Sequence, residues 1–212
     1  QCVYNTSYSF MFIRRLLIEH VRNLQQVSLN ELAQVNFFVG ENGSGKTSLL
    51  ESIAIASQGR SFRHHKIQTV IQIEKPSLQV FIECEADSGA THKLGVRRDK
   101  NSDYQIRIDG SNATSLAELS TILPTLVLDA SAFDLLDGAP SERCKFIDWG
   151  VFHVEHQFYD HWKRYNRILK QRNSLLRMGN QSYKDYEPWD KELCVLSAKI
   201  ENFRLLFLQQ YQ

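Results

Sequence analysis

The clearest chemistry in the sequence lies in a glycine-rich segment that matches G-x-x-x-x-G-K-[ST] at every fixed position. Gly40, Gly43 and Gly45 are expected to take positive φ angles, which turn successive backbone N–H groups inward to cradle phosphates. Lys46 would reach the β- and γ-phosphates, and the Thr47 hydroxyl would coordinate Mg²⁺. The predicted ligands are therefore ATP and Mg²⁺. The predicted ATP-binding residues are Gly40, Glu41, Asn42, Gly43, Ser44, Gly45, Lys46 and Thr47.

Further cations stand near this segment in the sequence. A basic cluster follows the helix predicted after the glycine-rich segment. It either contacts nucleotide or DNA phosphates or forms an ordinary solvated loop. We select Arg60 and Arg63 as candidate phosphate contacts. Arg22, after the first predicted strand, is a third candidate, with a plain surface arginine as the alternative. The cluster consists of Arg60, Arg63, His64, His65 and Lys66.

A second basic surface is predicted on a helix in the last third of the chain, where Trp162 and Tyr165 interleave with cations. One interpretation is binding of the DNA backbone along this helix, centred on Arg167 and Lys170. The other is an ordinary solvated face above an aromatic core stripe. The cations are Lys163, Arg164, Arg167, Lys170, Arg172 and Arg177.

Two weaker patterns have simpler explanations. The run from Leu126 to Asp129 looks like a Walker B strand whose aspartate faces Mg²⁺, but we favour a strand-end residue in a nucleotide-sensing loop. His153, His156 and His161 lack the spacing of H-E-x-x-H or H-x-x-E-H. This favours structural or surface histidines over a metal site.

Alternating strand and helix patterns would position these residues. A buried strand before the glycine-rich segment and a helix after it would give the context typical of a phosphate-binding loop. Later β-like runs indicate an antiparallel sheet beside this core, with a tight turn at Asp109 and Gly110. Predicted strands cover residues 12–18, 35–39, 78–83, 91–97, 105–108 and 126–128, and predicted helices cover 47–58 and 116–123.

The pattern changes near Pro140, beyond which the sequence is mostly helical. Apolar residues at spacings of four and three form one stripe on each of two predicted helices, which indicates an antiparallel helical hairpin. We therefore predict an incomplete P-loop lobe at residues 11–139, a helical arm at 140–212, and an extension without function at 1–10. The stripes are Phe158, Trp162, Tyr165 and Leu169, then Trp189, Leu193, Leu196, Ile200, Phe203 and Phe207.

Composition agrees with a folded α/β protein of this size. The chain has 212 residues, which is enough for one domain and a smaller appendage. Of these residues, 42% are hydrophobic and 23% are charged, as is usual for a folded protein. A net charge of +1 provides no global basic field, so any DNA-binding surface must be local. No apolar run reaches membrane-spanning length and the four cysteines form no C-x-x-C pair, so we predict a cytoplasmic protein without a zinc motif.

The run from Met11 to Leu24, with Arg22 and Asn23 as its Arg-Asn pair, resembles the first strand of the RecF and SMC-type ATPases. The residues from 38 to 51 extend this resemblance through the glycine-rich segment. Three further stretches resemble the RecF family in particular. They are residues 59–63, residues 140–153, and residues 169–173 together with 188–193.

This resemblance implies a P-loop ABC-ATPase-type lobe of the α/β class with an added antiparallel sheet, followed by an α-helical hairpin arm. In such proteins two heads sandwich ATP, and the ATP-bound homodimer clamps DNA at gaps and single-strand/double-strand junctions. The resemblance also implies RecR- and RecO-type partners, loading of RecA, and roles in DNA replication, recombination, replication restart and the SOS response.

The family carries its Walker B strand and its Leu-Ser-Gly-Gly-Gln signature motif beyond the arm, and this sequence shows neither. We therefore expect the arm to be truncated. We also expect weak nucleotide binding and almost no hydrolysis by this chain alone.

Two other functions stay open from the residues. A self-contained P-loop kinase for a small substrate would need a lid with catalytic arginines, for which a helical hairpin is a poor candidate. An architectural SMC-like head would extend its arm into a long coiled coil. Phosphotransfer by this chain alone would favour the kinase, and a sustained heptad pattern after Gln212 would favour the SMC-like head.

Overall fold

The computed structural model describes residues 11–64, 66–101, 103–179 and 182–210. The chain divides after Val127 into two compact units. Within the described residues, the first unit combines a six-stranded sheet with two helices, and the second is helical. The predicted extension at residues 1–10, His65 of the basic cluster, and positions 180–181 of the predicted interhelical turn lie outside the described residues.

The sheet of the first unit is antiparallel at every pairing and has the strand order β2-β1-β3-β4-β5-β6. This confirms the predicted antiparallel sheet and the α/β class. Asp109 and Gly110, both at positive φ, form the predicted tight turn between the last two strands. The strands are β1 (Met11–Val21), β2 (Leu24–Leu29), β3 (Ser77–Ala86), β4 (Thr91–Asp99), β5 (Tyr104–Ile108) and β6 (Ser111–Asn112).

Apolar side chains alternate along these strands and line up across the sheet. Ile82 on β3 pairs with Leu16 on β1 and with Leu94 on β4, and all three are fully buried. Helix α1 (Lys46–Gln58) packs against β1, β3 and β4, and helix α2 (Leu116–Ile122) packs against α1. The helix that follows the glycine-rich segment is therefore held against the centre of the sheet.

Two predicted strands are wrong. The structure assigns no strand at residues 35–39 or 126–128, and neither run pairs with another described strand. Phe37, Val39 and Leu128 are 87%, 94% and 72% exposed. An apolar run becomes a strand only where a neighbouring strand shares its backbone hydrogen bonds, and the described residues provide none here. Asp129 accordingly follows no Walker B strand in this structure.

The second unit contains the predicted helical hairpin. Phe158 on α5 (Phe158–Met178) stacks edge-on against Phe203 on α6 (Tyr183–Gln209), and Arg172 pairs with Asp190, so the two helices run in opposite directions. Trp162 departs from the predicted apolar stripe because it is 37% exposed. The helices are α3 (Asp134–Asp137), α4 (Pro140–Val154), α5 (Phe158–Met178) and α6 (Tyr183–Gln209).

The core of the second unit lies where α4, α5 and α6 meet. Val151, Phe158, Ile200 and Phe207 are buried together there. Asp148 on α4 also accepts two hydrogen bonds from Arg204 on α6, at 2.7 and 2.9 Å. The arm is thus a three-helix packing rather than a bare hairpin. Among the helices that the structure describes, none is both long and apolar enough to cross a bilayer.

His153 makes the stability of this unit sensitive to acid. Its ring lies edge-on to Trp149 and Phe152, and its Nε2 atom is buried without a hydrogen-bond partner among the described residues. Burial lowers the pKa of His153 below its ordinary value. The unfolded chain therefore binds a proton more readily than the folded chain. The free energy of unfolding should fall as pH drops through about 6.5.

We expect His153→Leu to reduce this acid sensitivity between about pH 7 and pH 5. The measurement is urea unfolding across that range, followed by far-ultraviolet circular dichroism. His156→Leu is the matched control, because it makes the same substitution at an exposed histidine of the same unit. Equal slopes for the wild type and His153→Leu would contradict the assignment.

Candidate nucleotide-binding site

The glycine-rich segment forms a loop that leads directly into α1. Gly43 and Gly45 lie in the left-handed region, at φ 84° and 104°, as predicted. The prediction of positive φ at Gly40 is wrong. A Cβ atom on Gly40 would lie 2.9 Å from Ser44 Oγ, so close approach of the loop to itself, rather than a special dihedral angle, favours glycine there.

The side chain of Lys46 folds back onto the first residues of this loop. Its Nζ atom donates to the carbonyl oxygens of Gly40 and Glu41, at 2.6 and 2.7 Å. Gly45 is the N-cap of α1, so the unpaired N–H groups and positive dipole end of the helix lie at the same place. A flexible cation and a helix N-terminus together form an anion-binding arrangement.

The turn between β1 and β2 supports the loop from one side. Asn23 Nδ2 donates to the Gly43 carbonyl oxygen at 2.9 Å, and Ser48 Oγ on α1 donates to Asn23 Oδ1 at 3.0 Å. A Cβ atom on Gly45 would lie 2.5 Å from Leu24 Cδ2. The turn therefore packs tightly on the loop, and Asn23 ties the loop to the helix.

Glu51 is fully buried on α1 and binds Arg22, the residue that precedes Asn23 in the turn between β1 and β2. Arg22 Nε donates to Glu51 Oε2 at 2.5 Å, and Arg22 Nη2 donates to Glu51 Oε1 at 2.8 Å. Arg22 has φ 51°, a left-handed conformation that costs roughly 1–2 kcal/mol for a residue with a side chain. Loss of one partner of such a buried pair typically costs about 3–5 kcal/mol, because the other charge is left unpaired.

The Glu51 carboxylate also binds Ser61, which lies between Arg60 and Arg63 at the start of the basic cluster. Ser61 Oγ donates to Glu51 Oε1, and it accepts the backbone N–H groups of Arg63 and His64, both at 3.0 Å. Burial, the largest single influence, raises the pKa of Glu51. The hydrogen bonds from Arg22 and Ser61 and the charges of Arg22 and Arg63 outweigh burial, so the pKa of Glu51 lies below its ordinary value.

The structure thus distributes the predicted site residues between two environments. Thr47, Arg60 and Arg63 are solvent-exposed near α1, whereas the Arg22 guanidinium is bound to Glu51. The contributions of Asn23 and Glu51 were not predicted. One signal was available for Glu51, which is the single acidic residue in a helix that otherwise has apolar, small and neutral side chains after Lys46. A buried acid of this kind requires a partner.

Two groups of cations on α5 also separate in the structure. Arg164 and Arg172 form ion pairs with Glu192 and Asp190 on α6. Lys163, Arg167 and Lys170 form no such pair with the described residues of α6, and they line an open groove of about 540 Å³ that the paired Arg164 also borders. Their spacings of four and three place them on one helix face. No ion pair among the described residues involves Arg167 or Lys170. The other lining residues are Asp160, Trp162, Arg164 and Asn166.

Two of the three histidines of the second unit contact aromatic rings. His161 stacks on Phe203, and His153 lies between Trp149 and Phe152. In the part of the chain that the structure describes, no three His, Cys, Asp or Glu side chains form a group that could hold a metal ion.

The loop, the helix that it caps and the sheet behind them define a P-loop nucleotide-binding fold. Comparison with known proteins then identifies the family. A sequence profile of the RecF/RecN/SMC N-terminal domain matches residues 12–182, and the chain belongs to this family.

Curated relatives confirm the resemblance to RecF. The chain is 44% identical over 199 residues to the DNA replication and repair protein RecF of Pseudomonas putida strain GB-1. It is 45% identical over the same length to the RecF protein of Pseudomonas syringae pv. tomato. Each alignment covers 94% of this chain and 54% of the relative. The chain therefore spans about half the length of the curated relatives that it matches.

Solved structures confirm the fold. The recombination mediator protein RecF–ATP of the RecFOR pathway superposes with a TM-score of 0.87 at 24% identity, covering 97% of this chain and 56% of that chain. A RecF–ATPrS structure of the same pathway gives 0.86 at 26% identity, covering 94% and 54%. A structure from work on SMC ATPases gives 0.54 at 19% identity, covering 65% and 98%.

Proposed function

We propose that this chain binds ATP with Mg²⁺ at residues 40–47 and forms the nucleotide-binding part of a RecF-type DNA-repair protein. The observation that carries the proposal is the site geometry. The ammonium group of Lys46 lies across a loop with two left-handed glycines, at the N-terminus of a helix of 13 residues. Such loops bind phosphate groups through backbone N–H groups and the helix dipole.

Each side chain has a defined task in this proposal. Lys46 would exchange its two carbonyl acceptors for phosphate oxygens. The exposed hydroxyl of Thr47, in the first turn of α1, is a hard oxygen ligand that suits Mg²⁺. Arg60 and Arg63 are exposed beside the helix and would add phosphate contacts. A phosphate contact by Arg22 stays a prediction, since its guanidinium is bound to Glu51.

The biological role follows the named relatives. Because these relatives are DNA replication and repair proteins and members of the RecFOR pathway, we place this chain in recombinational repair at single-strand gaps. The proposal includes RecR- and RecO-type partners, ATP-dependent homodimerisation, replication restart and the SOS response. Family membership argues against the small-molecule kinase, because the matched profile is that of RecF, RecN and SMC proteins. Weak or absent hydrolysis by this chain alone also stays a prediction.

Titration with a fluorescent ATP analogue tests the nucleotide-binding proposal. The chain should bind mant-ATP saturably in the presence of Mg²⁺, and chelation of Mg²⁺ by EDTA should weaken that binding by tenfold or more, about 1.4 kcal/mol. Unlabelled ATP should compete with the analogue. Binding that neither saturates nor responds to competitor would refute the proposal.

The groove on α5 is the proposed DNA-backbone contact of the arm. Arg167→Glu combined with Lys170→Glu should weaken binding of gapped DNA by roughly tenfold or more. The same change should flatten the dependence of log Kd on log salt, because fewer counterions are released. The measurement is fluorescence anisotropy of labelled gapped DNA over a range of salt concentrations.

The control for this experiment neutralises two cations that are already paired. Arg164 and Arg172 bind acids on α6, so their charges are largely neutralised within the arm. Arg164→Gln with Arg172→Gln should leave the salt slope close to that of wild type. An unchanged slope for the Arg167/Lys170 variant, or an equal loss in both variants, would remove this groove from the DNA-binding surface.

A further inference from the structure

The turn between β1 and β2 carries a strained residue at the point where it supports the phosphate-binding loop. Asn23 fixes the Gly43 carbonyl oxygen, and Arg22, directly before it, has φ 51°. Non-glycine residues persist in this region only when surrounding contacts hold them there. The position of Asn23 therefore depends on what holds Arg22.

Four groups hold Arg22, and the strongest contact is that with Glu51. Arg22 Nη2 also lies 2.8 Å from His64 Nδ1, on the exposed side of the turn. The Arg22 backbone N–H donates to the Val70 carbonyl oxygen at 2.8 Å, and Nη1 donates to the Thr69 carbonyl oxygen at a longer 3.3 Å. The bidentate contact with Glu51 is charge-assisted at both oxygens, which makes it stronger and more directional than the others. Because Glu51 is fully buried on α1, it cannot follow a displaced turn.

We propose that Glu51 is a positioning residue for nucleotide binding. It holds Arg22 in the left-handed conformation, so that Asn23 stays on the Gly43 carbonyl oxygen and the phosphate-binding loop keeps its shape. Glu51 itself touches no phosphate in this role. The inference rests on the proposed nucleotide-binding function. It assigns a role in nucleotide binding to a residue outside residues 40–47, and it gives Arg22 a role other than phosphate contact.

Glu51→Gln is the informative single substitution. Glutamine keeps the shape of the side chain, but it removes the charge and places an N–H group opposite a donor of Arg22. The turn should then relax away from φ 51°. We expect mant-ATP binding to weaken by roughly tenfold, and amide hydrogen exchange at residues 41–45 to accelerate in the absence of nucleotide.

Arg22→Gly combined with Glu51→Gln distinguishes positioning from direct contact. Glycine adopts positive φ without strain, so the double variant no longer needs the contact between Glu51 and Arg22. It also leaves no buried charge unpaired. It should recover mant-ATP affinity to within about threefold of wild type, and slow exchange at residues 41–45 should return. A cation that touched phosphate could not be replaced in this way, so this recovery would also remove Arg22 from the predicted phosphate contacts.

Ile106→Val controls for general loss of stability. Ile106 is buried on β5, away from the turn, and its shortening should lower the melting temperature without changing exchange at residues 41–45. All variants are compared well below their melting temperatures, in the full chain.

The outcomes separate this inference from the proposed function. Normal affinity and normal exchange in Glu51→Gln would overturn the positioning role alone, as would a double variant as impaired as the single one. Absence of saturable binding by the wild type would refute the nucleotide proposal. The exchange comparison would in that case still decide whether Glu51 shapes the loop.

Discussion

Lys46→Ala is expected to weaken binding of ATP with Mg²⁺ by about 100-fold or more. Lys46 supplies a cation whose charge would be shared between phosphate oxygens, and hydrogen bonds to charged groups each contribute about 1.5–3 kcal/mol. In this structure its ammonium group bonds two carbonyl oxygens at the mouth of the loop, at 2.6 and 2.7 Å. The cation is therefore already close to the place where phosphates would bind.

Titration with mant-ATP measures this effect, with Lys93→Ala as the control. Lys93 is an exposed lysine on β4 and belongs neither to the loop nor to the basic cluster. Its loss should change affinity by less than about threefold, under 0.7 kcal/mol. Equal, small effects of both substitutions would mean that the loop does not bind the phosphates through Lys46.

Gly150→Ala is expected to destabilise the helical unit, although the same change usually stabilises a helix by about 1 kcal/mol. Gly150 lies within α4 where this helix meets α6. A Cβ atom there would lie 2.2 Å from Phe207 Cζ and 2.8 Å from Cε1. The Phe207 ring is 9% exposed and packed among Val151, Phe158 and Ile200, so it has little room to move. Overpacking of this kind costs about 1–3 kcal/mol.

Thermal and urea unfolding would measure this change, and a second substitution identifies its cause. Phe207→Leu shortens the side chain that meets position 150. In its presence, Gly150→Ala should cost far less than in the wild type, because the two effects are not additive for residues in contact. An additive double variant, or a Gly150→Ala protein as stable as wild type, would contradict the proposed collision.

The elements that were predicted correctly are those whose pattern is complete within a short stretch. The period-two alternation of residues 78–83 predicted β3, and the fixed glycines and lysine predicted the loop before α1. The stripes with Phe158 and Phe207 predicted two packed helices. In each case the signal lies in nearby residues, either as a periodic buried face or as a fixed motif, and no distant partner decides the outcome.

The errors arise where a distant partner decides. Residues 35–39 have the composition of a buried strand, but Phe37 and Val39 are largely exposed because no described strand pairs with them. The support of the loop by Asn23 and Glu51 joins residues about 20 to 30 positions apart. Such contacts depend on how β1 lies against α1, which periodicity does not reveal.

The position of β1 between β2 and β3 has a consequence for the order in which the chain folds. This strand joins β2 across the two-residue turn at Arg22 and Asn23, a local step. It joins β3 only by bringing Met11 to Ala86 and Glu19 to Gln79, which closes a large loop of chain around the P-loop and α1. Closing such a loop costs entropy before any contact is gained, so this pairing should be the slow step. The hairpin can therefore form early, while the proposed nucleotide site is assembled only when the sheet closes.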